Sequence, residues 1–197
     1  RNHKIAHGDV PRKILLNSWE GVYFDINESG MDQMMSDIAS MGGELFVMDD
    51  GWFGDKYQRL SDNSSLGDWV VDRKKLPNGI SWLVKQADSH GIRFGIWIEP
   101  EMTNTESELY EKHPDWVLKA PKRDVVTGRG GTQLVLDLAN PEVRDFIVGM
   151  VDDLMRENPE IDYIKWDANM SIDNHGSQYL APDRQSHLYI EYHRGFA

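Results

Sequence analysis

Tyr163-Ile164-Lys165-Trp166-Asp167-Ala168-Asn169 is an apolar, strand-like run that stops on a carboxylate. Two earlier segments end the same way: Leu45-Phe46-Val47-Met48-Asp49-Asp50 and Phe94-Gly95-Ile96-Trp97-Ile98-Glu99-Pro100-Glu101. Closing a hydrophobic strand on acids and a tryptophan does little for stability. It does hold carboxylates rigidly at the mouth of a pocket, and its recurrence points to function.

Around these runs the chain alternates strand and helix. Residues 13–18 form a further apolar strand, and Met31, Met34, Met35, Ile38 and Met41 recur at helical spacing in the segment after it. Strands are expected at 13–18, 44–48, 93–98 and 162–166, and helices at 27–41, about 80–90, about 105–112 and 141–157. Pro141 sits in the first turn of the last of these helices, where its missing N–H is harmless. Residues 115–119 and 133–138 are expected to pair as an inserted hairpin. The residues after 188 read as a helix that the C-terminus interrupts.

This order predicts a parallel α/β sheet, with the long connections following strands, as at 51–76. That is the side on which (β/α)8 TIM barrels build their active sites, and four units amount to half of one. A doubly wound sheet is the rival architecture, but no Gly-x-Gly-x-x-Gly follows any strand.

Composition narrows the chemistry. At 197 residues, 40% hydrophobic and with seven tryptophans, the chain has enough apolar material for a folded core. A net charge of −12 argues against nucleic acid or an anionic membrane as partner. With no cysteine, thiolate nucleophiles, disulfides and Cys-ligated metals are excluded. No apolar run approaches the roughly 20 residues of a membrane span. The start, Arg1-Asn2-His3-Lys4, has neither an initiator Met nor a signal-peptide core, so an excised piece of a longer protein is expected and its compartment is open.

Lys165 and Asp167 are two apart and share a strand face, where the ammonium favours an ionised carboxylate suited to a nucleophile. Taken alone, an ordinary ion pair explains them as well. Asp49-Asp50-Gly51-Trp52 allows close backbone approach and an aromatic wall, or is simply a turn. Pro100 extends the chain so that Glu99 and Glu101 are expected to aim alike, joined by Trp97. Trp19, Trp52, Trp97 and Trp166 each lie within three residues of such an acid. Flat rings beside carboxylates suit a sugar, whose hydroxyls the acids grip. The histidines are scattered, so a metal site built on them is not expected.

Together, Leu15-Leu16-Asn17-Ser18-Trp19-Glu20, Leu45 to Phe53, Gly67-Asp68-Trp69, Trp97-Ile98-Glu99-Pro100-Glu101-Met102 and Tyr163 to Asp167 resemble the family 36 α-galactosidases. The resemblance runs in order over nearly the whole chain. It implies that residues 1–197 are one partial domain, the N-terminal half of the catalytic (β/α)8 barrel of a retaining glycoside hydrolase. The implied substrates are terminal α-galactosides such as melibiose or raffinose-type oligosaccharides, with no cofactor and no metal. It also implies Asp167 as nucleophile, and Asp49, Asp50, Trp97, Lys165, Asn169 and Trp19 as substrate contacts. Arg129 falls about two residues from the family's sugar-contacting arginine. The family's acid/base lies on a later strand, so these residues alone are expected to be inactive. Two alternatives stay open: a barrel enzyme placing Mg2+ on Asp49, Glu99 and Asp167, and a non-catalytic sugar-binding piece. Monomer or homo-oligomer, and galactose or N-acetylgalactosamine, are equally open.

Overall fold

The computed structural model describes residues 10–169, 171–173 and 175–196. Residues 1–4 and His7, part of the N-terminal and histidine readings, and Ala197, the last residue of the C-terminal helix reading, lie outside them. The strands are β1 (Leu15–Asn17), β2 (Leu45–Met48), β3 (Arg93–Ile98), β4 (Met102–Asn104), β5 (Gln133–Val135) and β6 (Ile161–Trp166). The helices are α1 (Trp19–Val22), α2 (Glu28–Ser40), α3 (Ile80–Ser89), α4 (Glu108–Lys112), α5 (Pro141–Glu157) and α6 (Leu188–Phe196).

Four strands form one parallel sheet in the order β1-β2-β3-β6. Each new strand is added to the same side, without the reversal that defines a doubly wound sheet. Alternation sends Phe46, Met48, Phe94 and Ile96 to one face, where they join Met31 and Met35 of α2 and Leu83 and Ala87 of α3 in the core. Burying a ring such as Phe46 stabilises the fold by about 1.5–3 kcal/mol. Leu15, Asn17, Val47, Gly95, Trp97, Tyr163 and Lys165 alternate onto the other face, and Leu15 and Tyr163 are exposed there. Gly95 is needed at its position. A Cβ there would stand 3.0 Å from Tyr163 Cβ and 3.1 Å from Val47 Cγ2, where β3 and β6 shift register.

Helix ends follow from local chemistry. Asn27 Oδ1 accepts from Gly30 N and starts α2; Asn140 Oδ1 accepts from Glu142 N and starts α5 ahead of Pro141. Helix α4 begins at Glu108, three residues later than the spacing suggests. Ser107 Oγ caps Tyr110 N, while the Asp68 carboxylate, from a distant loop, takes Glu108 N and Leu109 N. Those three acceptors set the boundary.

The expected hairpin is corrected. The antiparallel partner of Gln133–Val135 is Met102–Asn104, not residues 115–119. Residues 115–119 do run antiparallel to 133–138, through the Val117–Leu136 bridge and the bonds Leu118 N to Val135 O and Asp137 N to Trp116 O, without forming the strand pair itself. Asn104 decides the pairing, because its side chain is bonded on every side, to Leu66 N, Arg59, Asp62 O and Thr132 Oγ1.

Candidate active site

The strand-end acids converge beyond the C-terminal ends of β2, β3 and β6. Asp49 is the most heavily committed. Its Oδ2 accepts from Asn17 Nδ2 at 2.6 Å and from Lys165 Nζ at 2.7 Å, and its Oδ1 accepts from Asp50 N at 2.9 Å. β1, β2 and β6 are thereby tied together through one carboxylate. Lys165 does face the same side as Asp167, as alternation requires, but its ammonium bonds to Asp49.

Asp167 accepts instead from Trp97 Nε1 at 2.9 Å and from Ala168 N at 3.0 Å, and its own N–H donates to Ile98 O. Burial is the largest single influence on it and favours the protonated acid. The bonds from Trp97, the Asn169 side chain and Ala168, with the Lys165 charge, together outweigh burial and hold its pKa below the ordinary carboxylate value. An acid kept ionised yet partly open to solvent is equipped to attack. Trp97 is itself fixed by Phe53, stacked at 6.2 Å, and by Trp52 Nε1, which donates to its carbonyl at 3.0 Å.

Glu99, 1% exposed, accepts from Asn169 N at 2.6 Å. Burial first, and then the Asp167 and Asp50 charges, push its pKa up to about 7. Glu101 does not follow it, as the sequence led us to expect. The chain turns at Pro100, and Glu101 takes Trp166 Nε1 at 3.1 Å and the Tyr192 hydroxyl at 2.6 Å, which docks α6. Trp166 therefore leaves the acid cluster, and Trp52 lies in the core instead of forming a wall. Trp69 packs on Phe53 at 4.6 Å and folds its loop back. Trp19 stays at the site's edge, its backbone N–H donating to Asn17 Oδ1 and its ring edge-on to Phe24.

The Mg2+ alternative is not favoured. Lys165 Nζ stands on Asp49, where that reading requires the metal, and among the described residues no three His, Asp or Glu side chains converge as a ligand set.

The melibiase family profile matches residues 1–196. The chain belongs to the melibiase family. It is 45% identical to the α-galactosidase AgaA of Geobacillus stearothermophilus over 95% of its own length and 26% of that enzyme's. It is 48% identical to α-galactosidase C of Emericella nidulans, covering 86% of this chain and 23% of that protein. The crystal structure of an AgaA variant in complex with raffinose superposes with a TM-score of 0.90 at 44% identity, over 97% of this chain and 26% of that one. The chain thus spans about a quarter of the length of the relatives it matches.

One residue of the site carries no motif. Arg59, in the long connection after β2, is fully buried and grips Asp50 through two parallel bonds, Nε to Oδ1 at 2.9 Å and Nη2 to Oδ2 at 2.7 Å. Its only sequence signal is a buried acid that requires a cation within reach. Arg129 lies on the far side of the same group: it is exposed and bonds Asp62 at 3.3 Å, the acid that Arg59 approaches at 3.7 Å.

Proposed function

We propose that the intact protein is a retaining α-galactosidase and that residues 1–197 form the N-terminal half of its (β/α)8 catalytic barrel. The observation that carries this is the pairing of an ionised, partly open Asp167 with a fixed set of acids, Asp49 and Asp50, across the same strand ends. The order and direction of the four strands support a barrel half.

In this reading the Asp167 carboxylate attacks the anomeric carbon as the bond to the leaving oxygen breaks. A second carboxyl protonates that oxygen, and a galactosyl ester forms on Asp167. The second group, as carboxylate, then takes a proton from water; the water oxygen attacks the anomeric carbon, releasing α-galactose and Asp167. Asp49 and Asp50 accept hydroxyls, Lys165 and Asn169 donate, Trp97 and Trp19 supply apolar faces, and Arg129 stands at the rim.

The second carboxyl is assigned outside these residues. In the family that the chain resembles, that carboxyl stands on a later strand than the one bearing the nucleophile. The substrates proposed are terminal α-galactosides of the melibiose and raffinose type.

The test is turnover of an aryl α-galactoside by the intact protein, with the first-formed sugar followed by proton NMR. The α-anomer is expected first; the β-anomer first, or no turnover, contradicts the reading. The 197-residue chain alone is expected to show negligible turnover, and ready turnover would place the acid/base within it.

A further inference from the structure

We infer that Arg59 is the positioning residue of the sugar pocket, fixing the Asp50 carboxylate in its charged, aimed form without touching the sugar. The inference rests on the α-galactosidase reading above.

Every part of the guanidinium is occupied. Beyond its two bonds to Asp50, Nη1 donates to Ser64 O at 2.8 Å and to Asn104 Oδ1 at 3.0 Å. Its Cζ lies over the Phe24 ring, 5.4 Å from the centroid, and over the Phe53 ring, 5.7 Å from the centroid, one on the segment after β1 and one after β2. Asn104 extends the link to Asp62 O and Thr132 Oγ1. Arg59 therefore ties the segment after β1, the connection after β2 and β4 to the single carboxylate it grips. A planar fork between two rings is a task for arginine; a lysine offers one point charge and no stacking plane.

The fork takes one acceptor site on each Asp50 oxygen, and the remaining ones are left for a sugar hydroxyl. The groups facing Asp50 are Arg59, Asp49, Asp62, Glu99 and the half-buried Lys75, whose ammonium sits on the carbonyls of Phe24, Gly51 and Arg59. Burial pushes Asp50 towards protonation, and Arg59 is the direct opposing contact. Loss of the fork should therefore let Asp50 take up a proton at a higher pH.

The test uses the intact enzyme and an aryl α-galactoside. Arg59→Lys is expected to lower kcat/KM by about 10- to 100-fold, chiefly through KM, and to move the acid limb of kcat/KM to higher pH. In an Asp50→Asn background the same change is expected to move neither quantity further. Wild-type KM and pH profile in Arg59→Lys, or the full loss repeated in Asp50→Asn, would overturn the inference. If Arg59→Lys does not fold, Asp50→Asn/Arg59→Met is compared with Asp50→Asn. Equal kcat/KM supports the inference, and a further ten-fold loss overturns it. A wild-type enzyme inactive on α-galactosides overturns the parent reading and this inference with it, an outcome distinct from an active wild type with indifferent Arg59 variants.

Discussion

Lys165 Nζ lies 2.7 Å from Asp49 Oδ2, reaching across β3, which separates their strands. The pair gives Asp49 its cation and places the same positive charge near enough to Asp167 to lower its pKa. Lys165→Met is expected to reduce kcat/KM by about 10- to 100-fold, the scale of a lost charge-assisted bond. The acid limb of its pH profile should move upward, because Asp167 then protonates more readily. Steady-state kinetics across pH checks both.

Trp97→Phe keeps an aromatic ring against Phe53 but removes the N–H that Asp167 accepts. Asp167 should rise towards its ordinary value of 3.8. A lowered carboxylate pKa stabilises the native state above that value, and the benefit is lost as pH falls through the folded pKa. The variant should show a smaller loss of stability between about pH 5 and the acid end, measured by thermal unfolding against pH. Its acid limb in kcat/KM should again lie higher.

Glu99 titrates in the opposite sense. With a folded pKa of about 7 against an ordinary 4.5, the native state holds more protons than the unfolded chain between those values. Stability therefore falls as pH rises from about 4.5 through 7, and the deficit persists above. Glu99→Gln keeps an oxygen for Asn169 N and removes the titration. It should flatten that decline, with a gain at pH 8 of roughly 3 kcal/mol at the upper end. Denaturant unfolding at pH 5 and pH 8 reads the difference.

Glu101 holds α6 by accepting from Trp166 Nε1 and from the buried Tyr192 hydroxyl. Glu101→Ala leaves that hydroxyl without its partner, at a cost of about 1–3 kcal/mol. Hydrogen exchange should quicken in α6 (Leu188–Phe196) well before it changes in α2 (Glu28–Ser40). Uniform quickening of both would show that Glu101 serves the whole fold.

Much of this was legible in the chain. The apolar Leu45–Met48 run had to be a strand buried on both faces, and the acids after it had to lie at its end. Pro141 and the periodic apolar residues gave α5 its bounds within the sequence. What escaped depended on partners far along the chain. Alternation places Lys165 beside Asp167 but says nothing of which acid across the sheet receives it. Glu99 and Glu101 look equivalent until the turn at Pro100 separates them. The pairing of β4 with β5 hinges on Asn104, whose bonds reach Leu66, Asp62 and Thr132. Arg59 reads as one polar loop residue among many, and only its burial against Asp50 distinguishes it.

The central claim is that Asp167 forms the covalent bond to the sugar. Asp167→Ala in the intact enzyme leaves no carboxylate there, and turnover of an aryl α-galactoside should vanish. Azide supplied in solution should then occupy the vacated position, restore aglycone release and yield β-galactosyl azide. Wild-type turnover by Asp167→Ala without azide would contradict the assignment.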